Sequence, residues 1–184
     1  DAKKRAFTHL IASAIALYAF GGIDSLNFGV FKINTSAVCW IIALFVMVWM
    51  VNLYNFMDGI DGISSSEAIT TSIIGFALIK SHASLPALPI LLVIGASSLG
   101  FLLWNWNPAK IFMGDVGSTF LGAVFAALLL DASSWSEALG LLLVATPLIG
   151  DAFFCVPRRL LAGQRVFQAH RLHLFQRLHQ AGWP

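Results

Sequence analysis

The chain has 184 residues and a formal net charge of +2; 58% of its residues are hydrophobic and only 11% are charged. Soluble domains average about 45–50% apolar and about 25% charged residues, so this composition excludes an ordinary soluble protein. The mean hydropathy of +0.81 predicts a polytopic membrane protein, an all-α bundle of transmembrane helices with the lipid bilayer as its main partner. No nucleic acid is expected among its partners.

Six apolar segments follow one another along the chain, each compatible with the roughly 20 residues that cross a bilayer. They cover residues 7–23, 37–54, 64–80, 86–104, 116–130 and 138–156. Pro147 lies inside the sixth segment and predicts a kink near Gly150. The sequence therefore divides into a transmembrane domain at 1–156 and a basic tail at 157–184.

The distribution of basic residues orients these segments. If the six spans alternate across the membrane, nine of the eleven Lys and Arg residues fall on one face. Only Lys32 and Lys80 fall on the other face, so the positive-inside rule makes the crowded face cytoplasmic. A different number of spans would scatter the polar motifs over both faces, which favours six.

Two acidic clusters lie at the cytoplasmic ends of these segments. Asp58 and Asp61 are framed by glycines, and Asp115 precedes a glycine and a serine at the start of the fifth segment. Carboxylates beside a membrane span are costly, so they indicate a functional site. Glycine-rich helix starts bind phosphate, and Mg²⁺ binds through one or two carboxylates together with substrate phosphates. Taken singly, the first cluster could be an Asx turn and Asp115 a helix N-cap.

The tail supplies positive charge. His170, His173 and Arg177 would share one face if the segment is helical, and such a patch suits a pyrophosphate. The alternative is an amphipathic helix at the lipid surface, with the intervening leucines and Phe175 in the interface.

Three motifs carry a resemblance to a known family. They are Asn-x-x-Asn-Phe-Met-Asp-Gly-Ile-Asp-Gly at 52–62, Asn-x-x-Pro-Ala-x-Ile-Phe-Met-Gly-Asp-Val-Gly-Ser at 105–118 and His-Arg-x-His-x-Phe-Gln-Arg-Leu at 170–178. In this order they resemble the polyprenyl-phosphate N-acetylhexosamine-1-phosphate transferases, glycosyltransferase family 4, which includes phospho-N-acetylmuramoyl-pentapeptide transferase. The His-Arg-Leu-His pattern is similar to the branch that makes lipid carriers of O-antigen and other surface polysaccharides.

The resemblance implies a reaction at the cytoplasmic face of the bacterial inner membrane. Undecaprenyl phosphate would attack a UDP-N-acetylhexosamine with Mg²⁺ present, giving a polyprenyl-diphospho-sugar and UMP, an early step of cell-envelope synthesis; a homodimer is one possible assembly. The residues implied as catalytic are Asp115, also the magnesium ligand, Asp58, Asp61, His170 and His173. Those implied as substrate-binding are Asn55, Phe112 (stacked on uracil), Asn105, Lys110, Arg171 and Arg177.

One feature of the family is absent from the chain. Family members carry an Asp-Asp motif in an earlier loop, and residues 1–10 resemble the stretch that follows it, so the chain is expected to be the C-terminal part of a longer enzyme. Asp151, inside the sixth segment, is interpreted as structural. The competing function classes are an ion-coupled transporter, whose acids would lie at the membrane midplane, and a non-catalytic membrane scaffold.

Overall fold

The computed structural model is built almost entirely from α-helices and describes residues 2–79, 87–132, 134–164 and 173–182. In chain order the elements are α1 (Ala2–Ala19), β1 (Leu26–Asn27), β2 (Lys32–Ile33), α2 (Ser36–Met57), α3 (Ile63–Ile79), α4 (Ala87–Asn105), α5 (Gly114–Leu130), α6 (Trp135–Val144), α7 (Thr146–Leu161) and α8 (Leu174–Gln180). The prediction of an all-α membrane bundle is confirmed.

Within the described residues, α2 and α4 are long and apolar enough to cross a membrane by length and composition. Helices α3, α5 and α6 are apolar but shorter. Large apolar side chains on α2 and α4, among them Ile41, Phe45, Val93 and Leu103, are exposed on the outside of the bundle. Contiguous exposed apolar surface of this kind suits contact with lipid. The number of membrane crossings stays a prediction.

The first five predicted segments correspond to α1–α5, but the sixth differs. Instead of one kinked helix, the chain forms α6 and α7, with Ala145 as the cap of both. Pro147 lies in the first turn of α7, where its missing N–H leaves no helical hydrogen bond unmade. The predicted kink near Gly150 is therefore wrong, because the helix ends and restarts before the proline. Helix α7 continues to Leu161, past the predicted domain boundary at 156.

A short hairpin that the sequence did not predict joins α1 to α2. Strands β1 and β2 are antiparallel, with Leu26 opposite Ile33 and Asn27 opposite Lys32. The Asn27 side chain accepts a hydrogen bond of 2.9 Å from the Gly29 N–H and closes the turn.

Helix α2 lies at the centre of the bundle. It packs against α1, α5 and α7, while α3 packs on α4 and α6. Helices α2 and α5 approach closely at Gly122 of α5, where an added Cβ would lie 2.7 Å from the Met50 carbonyl oxygen and 2.8 Å from the Val51 Cα. Small residues allow helix backbones to approach this closely within membranes. The two helices that carry Asn55 and Asp115 are thus held in direct backbone contact.

We expect Gly122→Ala to lower the thermal stability of the protein in detergent. Its methyl group would meet backbone atoms of α2, and overpacking of this kind costs about 1–3 kcal/mol. Gly100→Ala in α4 is the matched control, because nothing lies within 4 Å of its added Cβ and alanine is the better helix former. Equal midpoints of thermal unfolding for the two variants would contradict the close contact.

Candidate active site

The loop between α2 and α3 and the loop between α4 and α5 meet at one end of the bundle. Asp61 Oδ2 accepts a hydrogen bond of 2.9 Å from the Ala109 N–H, and Asn105 Oδ1 accepts one of 3.0 Å from the Gly62 N–H. Gly62 has a φ of +79°, in the left-handed region that favours glycine, where the chain turns into α3. The two motifs that are separate in sequence therefore form one polar surface, as predicted from their placement at span ends.

Asp115 occupies the first turn of α5, just before the apolar part of that helix. The Asn55 amide donates to Asp115 Oδ1 at 2.9 Å, and Arg5 Nη1 donates to Oδ2 at 3.3 Å. The Asn55 hydrogen bond is the largest influence on the pKa of Asp115 and lowers it; desolvation opposes this effect, and the hydrogen bond and charge of Arg5 lower the pKa further. Asp115 is therefore kept as an exposed, ionised carboxylate, the form that binds a cation.

Asp58, the C-cap of α2, has the opposite environment. Burial raises the pKa of Asp58, and the nearby Asp115 carboxylate raises it further, while the Ser64 hydroxyl acts in the other direction. Two carboxylates of one site with pKa shifts of opposite sign are typical of functional sites.

Asn105, predicted to bind substrate, has a side chain whose contacts in the structure are with the protein. It is 5% exposed; its Oδ1 also lies 3.4 Å from the Ser65 hydroxyl, and its Nδ2 donates to the Ile111 carbonyl at 2.9 Å. In this arrangement Asn105 shapes the two loops, and contact with a substrate stays a prediction. The motif alone could not show that Asn105 joins the two loops, because the same side-chain amide could equally contact a ligand.

The side chains of Phe112 and Lys110 lie on the open side of this surface. Phe112 is 77% exposed, so its ring is available for stacking. Lys110 Nζ lies 5.3 Å from the centroid of the Trp104 ring, a cation–π distance. This contact holds a positive charge beside the loop that leads into α5.

The tail returns to the same end of the bundle through α8. Phe175 packs against Gly59, whose added Cβ would lie 3.0 Å from the Phe175 Cζ. Arg177 lies on α8 with an exposed side chain, whereas the predicted His170 and Arg171 lie outside the described residues. The acidic loops and the basic tail are thus neighbours.

The structure at His173 differs from the prediction that a helix runs through this residue. His173 is the N-cap of α8, with φ −62° and ψ 152°, which is extended backbone. Its N–H donates to Gln176 Oε1 at 3.3 Å and its ring lies 3.3 Å from an Asp151 oxygen. The prediction of a helix is therefore wrong at His173, because capping contacts start α8 at Leu174.

Sequence reasoning missed Arg5 as a site residue and counted it only among the orienting charges. The signal was its place on the same face as Asp115, which the alternating spans required. A second contact, between His9 Nδ1 and Asn52 Oδ1 at 3.1 Å, joins the next turn of α1 to α2.

Among the described residues, no group of three or more His, Cys, Asp or Glu side chains could hold a metal ion by itself. Asp115 nevertheless fits Mg²⁺, because this ion needs only one or two protein carboxylates when phosphates and water complete its shell. Asp115 has hard oxygen donors, is exposed and is kept ionised by its neighbours.

The chain is similar to known proteins over most of its length. The family model for glycosyl transferase family 4 matches residues 1–133, which contain both acidic motifs. The chain belongs to this family.

Curated relatives carry names from the same family. A probable undecaprenyl-phosphate N-acetylglucosaminyl 1-phosphate transferase of Bacillus subtilis is 33% identical over 76% of this chain and 41% of its own length. A decaprenyl-phosphate N-acetylglucosaminephosphotransferase of Mycobacterium leprae is 31% identical over 94% of this chain and 48% of its own length. A phospho-N-acetylmuramoyl-pentapeptide-transferase of Streptococcus thermophilus is 36% identical over 66% and 34%. The chain thus spans less than half the length of these relatives, and its place within them stays a prediction.

We expect Asp58→Asn to raise thermal stability at about pH 7, with a gain that shrinks toward about pH 5. The pKa of Asp58 is raised in the folded state, so its protonation stabilises the fold at low pH and this stabilisation is lost as pH rises through the raised pKa. Asparagine removes the charge at every pH. Midpoints of thermal unfolding across this range test the sign.

Asp131→Asn is the control for this experiment, because Asp131 is an exposed acid at the opposite end of α5. A gain for Asp58→Asn that does not depend on pH would contradict the prediction.

Proposed function

We propose that the protein carrying this chain transfers N-acetylhexosamine-1-phosphate from a UDP-sugar to undecaprenyl phosphate, at the cytoplasmic face of the bacterial inner membrane. The observation that supports this most is that Asp58, Asp61 and Asp115 lie together with the basic tail, which contains His173, at one end of an apolar bundle. The names of the family relatives supply the general reaction. The products are a polyprenyl-diphospho-sugar and UMP, and the pathway is cell-envelope polysaccharide synthesis such as that of O-antigen.

The reaction is a phosphoryl transfer that asks the protein for positioning and charge stabilisation. An oxygen of the lipid phosphate attacks the sugar-linked phosphorus, and a new P–O bond forms. The bond from that phosphorus to the oxygen bridging to UMP breaks, and its electron pair leaves with UMP. A lipid acceptor and a soluble nucleotide sugar can meet only at a membrane surface, which is where span-end loops lie.

The residues divide this work by position. Asp115 would hold Mg²⁺, which supplies charge neutralisation of the phosphates when bound. Phe112 would stack on the uracil through its exposed ring, and Asn55 orients Asp115 through its 2.9 Å hydrogen bond. His173 and Arg177 would face the diphosphate from the tail.

The geometry argues against the two competing classes. A transporter is expected to place its acids on broken helices at the midplane, whereas these three acids lie in loops or in a first helical turn. A scaffold explains the basic tail but gives no reason for an ionised carboxylate beside a carboxylate with a raised pKa.

We expect Asp115→Asn in the full-length protein to lower the rate of UMP release about a hundredfold or more while membrane insertion persists. Asparagine keeps the shape and loses the charge that binds a cation. Asp131→Asn, at the other end of the same helix, should keep normal activity. A near-normal rate for the Asp115 variant at saturating Mg²⁺ would contradict a cation-binding role for Asp115.

Phe112→Ala should raise the KM for the UDP-sugar and leave the KM for the lipid acceptor unchanged, since base stacking contributes about 1–3 kcal/mol. Phe112→Tyr should restore the KM because it keeps the ring. Phe56→Ala is the control, an aromatic residue of the neighbouring motif that is also exposed. Equal KM values for the two alanine variants would contradict the stacking role.

A further inference from the structure

The carboxylate of Asp151, inside α7, is turned toward the start of α8. Asp151 is 8% exposed. Its Oδ1 accepts a hydrogen bond of 2.8 Å from the Leu174 N–H and lies 3.3 Å from His173 Nδ1, and its Oδ2 accepts one of 3.3 Å from the Phe175 N–H. One buried carboxylate thus contacts three consecutive residues of the tail.

These contacts determine which nitrogen of His173 carries the hydrogen. Both Asp151 oxygens accept from backbone N–H groups, which can only donate. A carboxylate that only accepts requires a donor in the facing imidazole, so Nδ1 bears a hydrogen, and in the neutral ring Nε2 then has the lone pair. The hydrogen bond made by one ring nitrogen sets the chemistry of the other.

The same contacts hold the tail against the acidic loop. The ring of Phe175 is 9% exposed, belongs to the hydrophobic core and packs on Gly59, between Asp58 and Asp61. The His173 and Phe175 rings are stacked, with centroids 5.9 Å apart. The imidazole is therefore confined on one side by an acid and on another by an aromatic ring that contacts the acidic motif.

We infer that Asp151 is a positioning residue that fixes His173 in the Nδ1–H tautomer and directs it toward the substrate site; this inference rests on the proposed function for its catalytic consequence. Asp151 itself touches no reacting group. It acts through His173, as an outer carboxylate acts through a histidine ligand in other sites. If Asp151 only capped α8, it would stabilise the tail as a whole, and the effect of replacing it would not depend on the His173 imidazole.

The tautomer is tested first, by ¹⁵N NMR of the full-length protein labelled at histidine and measured at about pH 8, above the usual histidine pKa of about 6.5. The His173 signals are those lost in His173→Gln. We expect a protonated Nδ1 and an unprotonated Nε2. An unprotonated Nδ1 would overturn the inference, whatever the enzyme's activity. This measurement needs no Asp151 variant, so it remains decisive if Asp151→Asn fails to fold.

A double-mutant cycle tests the route of action. Asp151→Asn alone should lower kcat about tenfold to a hundredfold with little change in the KM for the UDP-sugar. In the His173→Gln background the same change should lower kcat by less than about twofold, because the two residues act as one unit. Equal losses in both backgrounds would show that Asp151 supports α8 generally and would overturn the inference.

His179→Gln, which changes an exposed histidine of the same helix, is the control background, and there Asp151→Asn should cost its full factor. Absence of transferase activity in the unmodified protein would contradict the proposed function alone, since the NMR result does not depend on turnover.

Discussion

The close packing of α2 on α5 at Gly122 determines the geometry of the whole polar end of the bundle. Backbone contact at Met50 and Val51 brings the next turns of the two helices into register. As a result Asn55 lies within hydrogen-bond distance of both Asp115 and Ser118. Helix packing in lipid has little hydrophobic driving force, so a close backbone contact at a small residue has to supply the precision. The first requirement of this site is therefore met by a glycine far from the chemistry.

A second layer of precision comes from amides and backbone groups that close the loops. Asn105 bonds to the loop before α3 and to the loop before α5, so each loop fixes the other. Asp61 does the same through the Ala109 N–H. A buried amide with its donor and acceptor both satisfied is rigid, because breaking either bond leaves an unpaired polar atom. These residues explain why two loops of a membrane protein can hold carboxylates in a defined arrangement.

The hydrophobic pattern was sufficient to predict the class and the first five helices. The predicted segment 37–54 became α2 at Ser36–Met57, which is longer because its amides find partners: Asn52 donates to the Val48 carbonyl and Asn55 to Asp115. The sequence did not predict the hairpin, because strands of two residues are too short to show a hydrophobic period. The break at Ala145 depends on the position of Pro147 in the first turn of α7. The start of α8 at Leu174 depends on the carboxylate of Asp151, which is distant in sequence.

The site residues also divide into those that the sequence could identify and those whose contacts only the folded structure shows. Residue types and placement were enough to single out Asp58, Asp61 and Asp115 as candidates, because acids beside membrane spans are costly. Asn55 became a candidate through the resemblance of its motif. Residue types and placement could not separate Asn105, which clamps loops, from Asn55, which orients a carboxylate. They also could not predict that Arg5, distant in sequence, bonds to Asp115.

The ion pair between Arg5 and Asp115 has a thermodynamic consequence for any cation that binds there. Both side chains are largely exposed, at 50% and 65%, and exposed pairs contribute only about 0–1 kcal/mol. The guanidinium therefore partly neutralises the carboxylate, and a divalent ion at Asp115, as proposed, would displace it at small cost. Competition for one oxygen links ion occupancy to the first turn of α1, and by reciprocity whatever restrains that turn changes the affinity for the ion.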